Sequence, residues 1–242
     1  MTGGLSVVIP TYNEEGWIEG TLLHLEPSRQ SIPLEVIVSD DGSTDRTVEI
    51  ARKFADRVLS VPTGPCGRSV ALNRGARVAR HDVLLFLDAD IRIDPMQEFL
   101  RETQDVFEGE RGVVGGMIDF FVHPQEQTFA DRLAHVLWNT FMHGVLRATG
   151  IGISTPGFQM ARREAFDRIG GYDEDLRLTQ DVDYSLRLSR VGQIHYFRRA
   201  RAFESPRRYR DEGYLVYAYR SSLRWGSILL LGRSHGTYKA VR

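Results

Sequence analysis

Short apolar runs recur through the first hundred residues, and each stops at a polar or turn-forming cluster. Leu5-Ser6-Val7-Val8-Ile9 ends at Pro10, Leu34-Glu35-Val36-Ile37-Val38 at Ser39, and Val83-Leu84-Leu85-Phe86-Leu87 at Asp88. A shorter run covers Arg57 to Val61. Between them lie segments that suit helices: Glu14 to Leu25 with Asn13 as N-cap, Thr44 to Phe54, and the Ala-rich Ser69 to Ala79. Asp94-Pro95-Met96-Gln97 opens a further helix, with Asp as cap, Pro in the first turn and Gln bonding back. Runs that are apolar throughout, rather than alternating, belong to strands buried on both faces. Strands alternating with helices predict an α/β fold, a three-layer αβα sandwich with a mainly parallel central sheet.

The second half is less regular. Val113 to Val122 and Gln193 to Glu204 read as strands, and Gln180 to Val191 as helix, while Gly150 to Gly157 reads as loop. Phe129 to Arg147 is helix-like, with Leu133, Val136, Leu137, Phe141 and Val145 on one side. His135 and His143 are expected at the surface or an interface, and His195 in a structural place within its strand. No linker divides the halves, so residues 1–242 are read as one domain.

Composition narrows the class. A hydrophobic share of 42% and a charged share of 26% are those of a globular chain, and the net charge of −1 supplies no global field to recruit nucleic acid or an acidic membrane. A lone Cys66 cannot form an internal disulfide, which fits a reducing compartment. Met1 to Pro10 lacks the basic and apolar regions of a signal peptide. The longest apolar stretch, Tyr214 to Leu231, is interrupted by Arg220 and Arg224. The expectation is a cytoplasmic protein.

The chemistry gathers where the strands end, at the edge where open α/β sheets bind ligands. Asp88-Ala89-Asp90 closes a wholly apolar run, and residues i and i+2 of an extended segment point the same way. Two hard oxygen donors facing one ligand suit Mg²⁺ or Mn²⁺, which in turn grips a diphosphate. The plainer alternative is a pair of helix-capping acids. Four further segments keep it company: Pro10-Thr11-Tyr12-Asn13-Glu14-Glu15, Ser39-Asp40-Asp41-Gly42-Ser43-Thr44-Asp45, Gly67-Arg68-Ser69 through Asn73-Arg74-Gly75, and Gly170-Gly171-Tyr172-Asp173-Glu174 followed by Gln180-Asp181-Val182-Asp183. In this order the series resembles the family-2 glycosyltransferases, whose fold is the nucleotide-sugar-binding GT-A fold, over most of the chain to about Arg208.

The resemblance implies roles position by position. Pro10, Tyr12 and Glu14 would wall the nucleotide pocket, and Asp40 and Asp41 would accept hydrogen bonds from base and ribose. Turn-building is the alternative for both acids. Arg68 would face the donor or make a surface ion pair. Asp88 would contact ribose and metal, with Asp90 the direct metal ligand and Mg²⁺ or Mn²⁺ the cofactor. Asp181 would deprotonate an acceptor hydroxyl; the family's usual acidic pair here reads Gln180-Asp181. Gly157, Phe158 and Gln159, with Gln180, would line the acceptor side. Lobes of residues 1–110 for the nucleotide sugar and 111–208 for acceptor and catalysis follow, with 209–242 a C-terminal helical segment.

Arg207 and Arg208 could clamp the diphosphate through bidentate guanidinium contacts. Alternatively they join Arg198, Arg199, Arg201 and Arg210 in one basic surface for an anionic membrane. The segment 209–233 could be an interfacial helix at the inner face of a membrane, a helix packed on the domain, or a homodimer interface. The implied activity is inverting, metal-dependent sugar transfer from a nucleotide-diphosphate donor to a sugar, glycan or lipid-linked acceptor. Rivals are transfer to a polyprenyl phosphate, which needs no base, a nucleotidyltransferase, and a non-catalytic sugar-nucleotide-binding module. Nucleotidyltransferases carry a Gly-rich basic loop after the first strand, which Thr11 to Glu15 is not.

Overall fold

The computed structural model describes residues 3–61, 64–153, 157–176, 179–207, 210 and 213. In chain order the elements are β1 (Leu5–Thr11), α1 (Ile18–Leu25), β2 (Leu34–Asp40), α2 (Thr47–Ala51), β3 (Arg57–Ser60), α3 (Arg68–Val78), β4 (Val83–Leu87) and β5 (Arg92–Asp94). They continue with α4 (Met96–Gly109), β6 (Val113–Val122), α5 (Phe129–Thr149), β7 (Phe158–Arg162), α6 (Arg163–Arg168), α7 (Gln180–Ser189) and β8 (Gln193–Glu204).

The strands form a single eight-stranded sheet in the order β3-β2-β1-β4-β7-β6-β8-β5. Strands β1 to β4 pair in parallel, and β6 pairs in parallel with β8. Antiparallel β7 joins the two parallel parts, and β5 closes the far edge against β8. Alternate residues of the strands feed two cores. Leu5, Val7 and Ile9 of β1 pack with Ile18 and Leu22 of α1 and Phe99 of α4 on one face. Val8, Leu84 and Phe86 pack with Leu72 and Ala76 of α3 and Tyr184 of α7 on the other. Each fully buried aliphatic side chain contributes about 1.5–3 kcal/mol relative to exposure, which is why strands covered on both sides carry so few polar residues. A third cluster, Met117, Met142, Ile153 and Val182, lies under α5. Helix α3 comes so close to the sheet that a Cβ on Gly75 would sit 2.3 Å from Val8 Cγ1.

Several local expectations change. Helix α1 begins at Ile18 rather than Glu14, because the preceding loop is laced to the loop after β2. Asn13 takes a left-handed backbone (φ 57°), and its Oδ1 accepts from Thr44 N at 2.8 Å instead of capping α1. Glu14 N donates to Thr47 Oγ1 at 2.8 Å, and Asn13 N to Ser43 Oγ at 2.8 Å. Helix α4 starts without a side-chain cap, since Asp94 belongs to β5 and Gln97 Oε1 accepts from Ser31 Oγ at 2.8 Å. His135 is buried rather than at the surface: Nδ1 meets Asp131 O at 2.8 Å and Nε2 meets Glu204 Oε1 at 3.4 Å. His195 is structural, as expected. Its Nε2 lies 2.9 Å from Glu102 Oε1, and the same carboxylate accepts from Arg198 N and Arg199 N where β8 shifts register against β6.

Candidate active site

The carboxyl ends of β1, β2 and β4 open on one edge of the sheet, and the acids expected there are drawn together by two arginines from distant parts of the chain. Arg68, the first residue of α3, donates from Nε and NH2 to Asp88 Oδ1 at 3.1 and 2.8 Å. Its NH1 donates to Asp181 Oδ1 at 2.7 Å. One planar guanidinium thus joins the first acid of the Asp88-Ala89-Asp90 motif to the acid in the first turn of α7. All three groups are largely removed from solvent, so the pairs are stronger than surface ion pairs.

Arg207, just after β8, does the same for the other acids. Its NH2 donates to Asp90 Oδ2 at 3.1 Å and to Glu14 Oε2 at 3.3 Å, and the guanidinium lies 5.1 Å from the centroid of the Trp17 ring. Trp17 in turn stacks on His123, whose Nε2 lies 3.0 Å from Asp90 O. Burial, together with the charges of Asp90 and Asp88, pushes the Glu14 carboxyl up to about 7, against the opposing pull of Arg207. Burial and Asp88 likewise push Asp90 up. The site therefore holds more negative charge than it can comfortably ionise, an arrangement that favours a bound cation.

Asp40 and Asp41 divide their work. Asp40 is wholly buried at the end of β2, and its oxygens accept from Gly42 N, Ser43 N, Ser43 Oγ, Ser60 Oγ and Thr11 Oγ1. A carboxylate offers about four lone-pair sites, so Asp40 has nothing left for a ligand. The expected contact to base or ribose does not suit it. Asp41 accepts from Cys66 N at 2.9 Å and Gly67 N at 2.8 Å, which fixes the entry to α3, and retains capacity for more. Tyr12 projects partly into solvent beside these loops, while Pro10 is buried in β1, past the last residue that pairs with β4.

Gly157 lies directly against the Asp88-Ala89-Asp90 segment. Its carbonyl accepts from Asp88 N at 2.9 Å, its φ is +101°, and a Cβ there would come within 3.3 Å of Asp88 Oδ2. Phe158 turns its ring into the core instead of toward an acceptor, because alternate residues of β7 face opposite sides. Gln159 faces the other way: Oε1 accepts from Ser185 Oγ at 3.2 Å, and its buried Nε2 has no partner among the described residues. The buried Oε1 of Gln180, beside Asp181, also lacks one among them. Arg208 lies outside the described residues, as does nearly all of 209–233.

Two groups that build the site, Trp17 and His123, escape a reading of the sequence, and a third, Asn73, stands in the Gly67 to Gly75 segment with no role read for it. Trp17 and His123 brace Asp90 and Arg207, and Asn73 clamps the Gly170 to Glu174 segment by accepting from Tyr172 N and donating to Tyr172 O and Glu174 Oε1, each at 2.9 Å. A histidine closing an apolar strand carries the same signal as the acids after β4, and that signal could have found His123. Trp17 offers no comparable mark.

Among the described residues no group of three or more His, Cys, Asp or Glu side chains forms a metal cage. A Mg²⁺-type ion does not require one, since one or two carboxylates plus phosphate oxygens suffice. Asp88 and Asp90 meet that need, and the raised Asp90 and Glu14 carboxyls mark the place where a cation would be welcome. These residues fit the group.

Comparison with known proteins agrees with this geometry. The family model described as glycosyl transferase family 2 matches residues 6–170, well over half of the chain. Glycosyltransferase AglD of Haloferax volcanii is 30% identical over 78% of this chain and 31% of its own length. The dolichol-phosphate mannosyltransferase of Pyrococcus furiosus is 33% identical over 48% of this chain and 35% of its own. The chain thus spans about a third of the length of these two relatives. A mannosyltransferase from Pyrobaculum calidifontis, solved with GDP-Man and Mn²⁺, superposes with a TM-score of 0.65 at 20% identity, over 96% of this chain and 65% of that one. The chain belongs to glycosyltransferase family 2 and has the GT-A fold.

Proposed function

We propose that the chain transfers a sugar from a nucleotide-diphosphate donor to a hydroxyl acceptor by a single displacement that inverts the anomeric centre. The observation that carries this reading is the Arg68 guanidinium, which ties the acid expected at ribose and metal to the acid expected to act as base. Donor and acceptor chemistry then meet across one side chain. In this reading Asp41 holds base or ribose, Tyr12 offers a flat apolar face, and Asp88 and Asp90 hold Mg²⁺ or Mn²⁺. Such an ion neutralises charge on a departing diphosphate. Asp181 takes the proton of the acceptor hydroxyl as its oxygen attacks the anomeric carbon. The bond to the donor phosphate breaks on the opposite face, and its electron pair leaves with the nucleoside diphosphate. Arg207 faces the phosphates, and the unpartnered Gln159 Nε2 and Gln180 Oε1 would bond sugar hydroxyls.

A second reading is transfer to a polyprenyl phosphate, favoured by the likeness to the Pyrococcus furiosus dolichol-phosphate enzyme. A phosphate acceptor is already an anion and needs no base. Asp181→Asn separates the two, since it keeps shape and polarity but removes the basic oxygen. For a hydroxyl acceptor, donor affinity should survive while transfer falls at least about 100-fold, the low end for lost general-base catalysis. Transfer at wild-type rates to a polyprenyl phosphate, by the variant as by the parent, would reject the base role and establish the second reading.

A further inference from the structure

Helix α5 is built inside out. Three of its four buried residues are polar: Asp131 closes a capping box with Thr128, His135 meets Glu204, and Asn139 bonds the backbone of Phe120 through both side-chain atoms, while the fourth, Met142, joins the small cluster with Met117, Ile153 and Val182. Its outward residues are apolar. Five of the seven large hydrophobic side chains exposed among the described residues lie on this one helix, with Phe129 83%, Leu137 63% and Phe141 60% exposed, and Leu133 and Val136 nearly half. They follow the i, i+4, i+8, i+12 spacing of a single stripe, continued by exposed Ala130, Ala134, Gly144 and Ala148. A contiguous patch of this kind on a water-facing helix calls for an apolar partner.

The charges beside the stripe say which partner. The exposed positions of α5 include Arg132 and Arg147 and no carboxylate, for the helix's one acid, Asp131, is buried. Two more exposed arginines flank it from β8. Arg198 lies over the Tyr196 ring, which packs on His143 of α5, and Arg201 lies over Phe121, which stacks on His135. An apolar stripe edged by arginines matches the boundary between acyl chains and anionic headgroups. A second copy packed antiparallel on the same face would set arginine against arginine.

We propose that α5 is a membrane-docking surface that lies in the headgroup region of an anionic lipid bilayer. The surface also has a useful position. Arg210, three residues beyond Arg207, reaches Asp131 in the first turn of α5 at 3.7 Å, so the Phe129 end of the helix lies beside the acids of the active site. A docked enzyme would hold that site at the depth where a lipid-linked acceptor presents its headgroup. The docking itself does not depend on the acceptor.

Co-sedimentation of the full chain with vesicles tests it, using phosphatidylcholine alone and an equal mixture with phosphatidylglycerol. The wild type should bind the mixed vesicles, bind the neutral ones weakly, and release at high salt. The double variant Leu137→Glu/Phe141→Glu should lose at least about tenfold in binding, as expected when an apolar face becomes charged. Its circular dichroism and melting should match the parent, since both side chains are exposed and neither belongs to a buried cluster. Arg132→Glu/Arg147→Glu should lose the preference for anionic lipid. Undiminished binding by the Leu137/Phe141 variant would assign lipid contact to another segment and overturn the proposal. No vesicle binding by the wild type, or a dimer that this variant dissociates, would overturn it in favour of a protein partner.

Discussion

A carboxylate that keeps its proton near neutral pH marks a place where negative charge is crowded, and Glu14 is such a group. Its ordinary value near 4.5 rises to about 7, through burial first and then the charges of Asp90 and Asp88. Between those values the folded protein binds more protons at Glu14 than the unfolded chain does. Stability from this group is therefore present at low pH and lost as pH rises toward 7. The full shift corresponds to roughly 3 kcal/mol. With 25% of the side chain open to water, about half of that is a fair expectation. Urea unfolding of wild type and Glu14→Gln in chelator, at about pH 5 and about pH 8, checks the sign: the wild type should lose stability relative to the variant as pH rises. A difference that is constant, or of opposite sense, refutes it. Asp40 and Asp41 give a second contrast. Asp40→Ala strands several buried donors and should cost about 2–4 kcal/mol of stability. Asp41→Ala should chiefly raise the KM for donor, leaving kcat largely alone. Adjacent acids in a turn motif look interchangeable in a sequence. Only a count of the donors around each tells them apart.

Elements were legible where a run of side chains had one job. Strands β4, β6 and β8 emerge from the sequence with their observed bounds: burial on both faces leaves an almost wholly apolar signature in β4 and β6, and β8 alternates aromatic and aliphatic residues with arginines. Strand β7, Phe-Gln-Met-Ala-Arg, escaped: it is short, and its polar residues serve the site and a neighbouring loop rather than an alternating face. The start of α1 was misplaced because Asn13, a good cap by type, is claimed by the loop after β2. Helix α5 shows the limit of periodicity most clearly. The spacing revealed an apolar side but could not say that this side faces outward. The inward polar residues have a cause. Strand β7 pairs with β6 only at Gly115 and Gly116, so farther along β6 the backbone of Phe120 turns to Asn139 instead. Asn139→Leu leaves both of those groups buried and unpaired, and should lower stability by about 2–4 kcal/mol in urea unfolding. Leu137→Glu, two residues away and on the outward face, should stay within about 0.5 kcal/mol of wild type. Equal effects from the two would mean that the helix is not inverted.

At the scale of the molecule, the site depends on groups from both ends of the chain. The acids at strand ends could be located from the sequence, since strand order in an α/β sheet brings them to one edge. Their pairing with Arg68 and Arg207 could not, because it depends on how α3, α7 and the segment after β8 converge. Arg207 is 193 residues from Glu14 and 117 from Asp90, yet its guanidinium supplies the positive charge that both carboxylates require. In the proposed reading Arg207 stands beside the acids that would draw a divalent cation, so it should compete with metal and cooperate with diphosphate. Arg207→Gln should therefore bind Mn²⁺ alone more tightly than the wild type, and bind UDP or GDP in the presence of Mn²⁺ more weakly. Charge-assisted hydrogen bonds contribute about 1.5–3 kcal/mol, so each change should reach about tenfold. Calorimetric titration of metal and of nucleotide, with Asp90→Ala and chelator as controls, measures both. Asp90→Ala should abolish the metal-dependent part of nucleotide binding, and equal nucleotide affinity with and without chelator would remove the cation from donor binding. If Arg207→Gln left metal affinity unchanged while nucleotide affinity fell, Arg207 would be a phosphate ligand and no rival of the cation. If neither moved, its ion pairs would be structural, and the charge that receives the diphosphate would have to come from Arg68 and the metal alone.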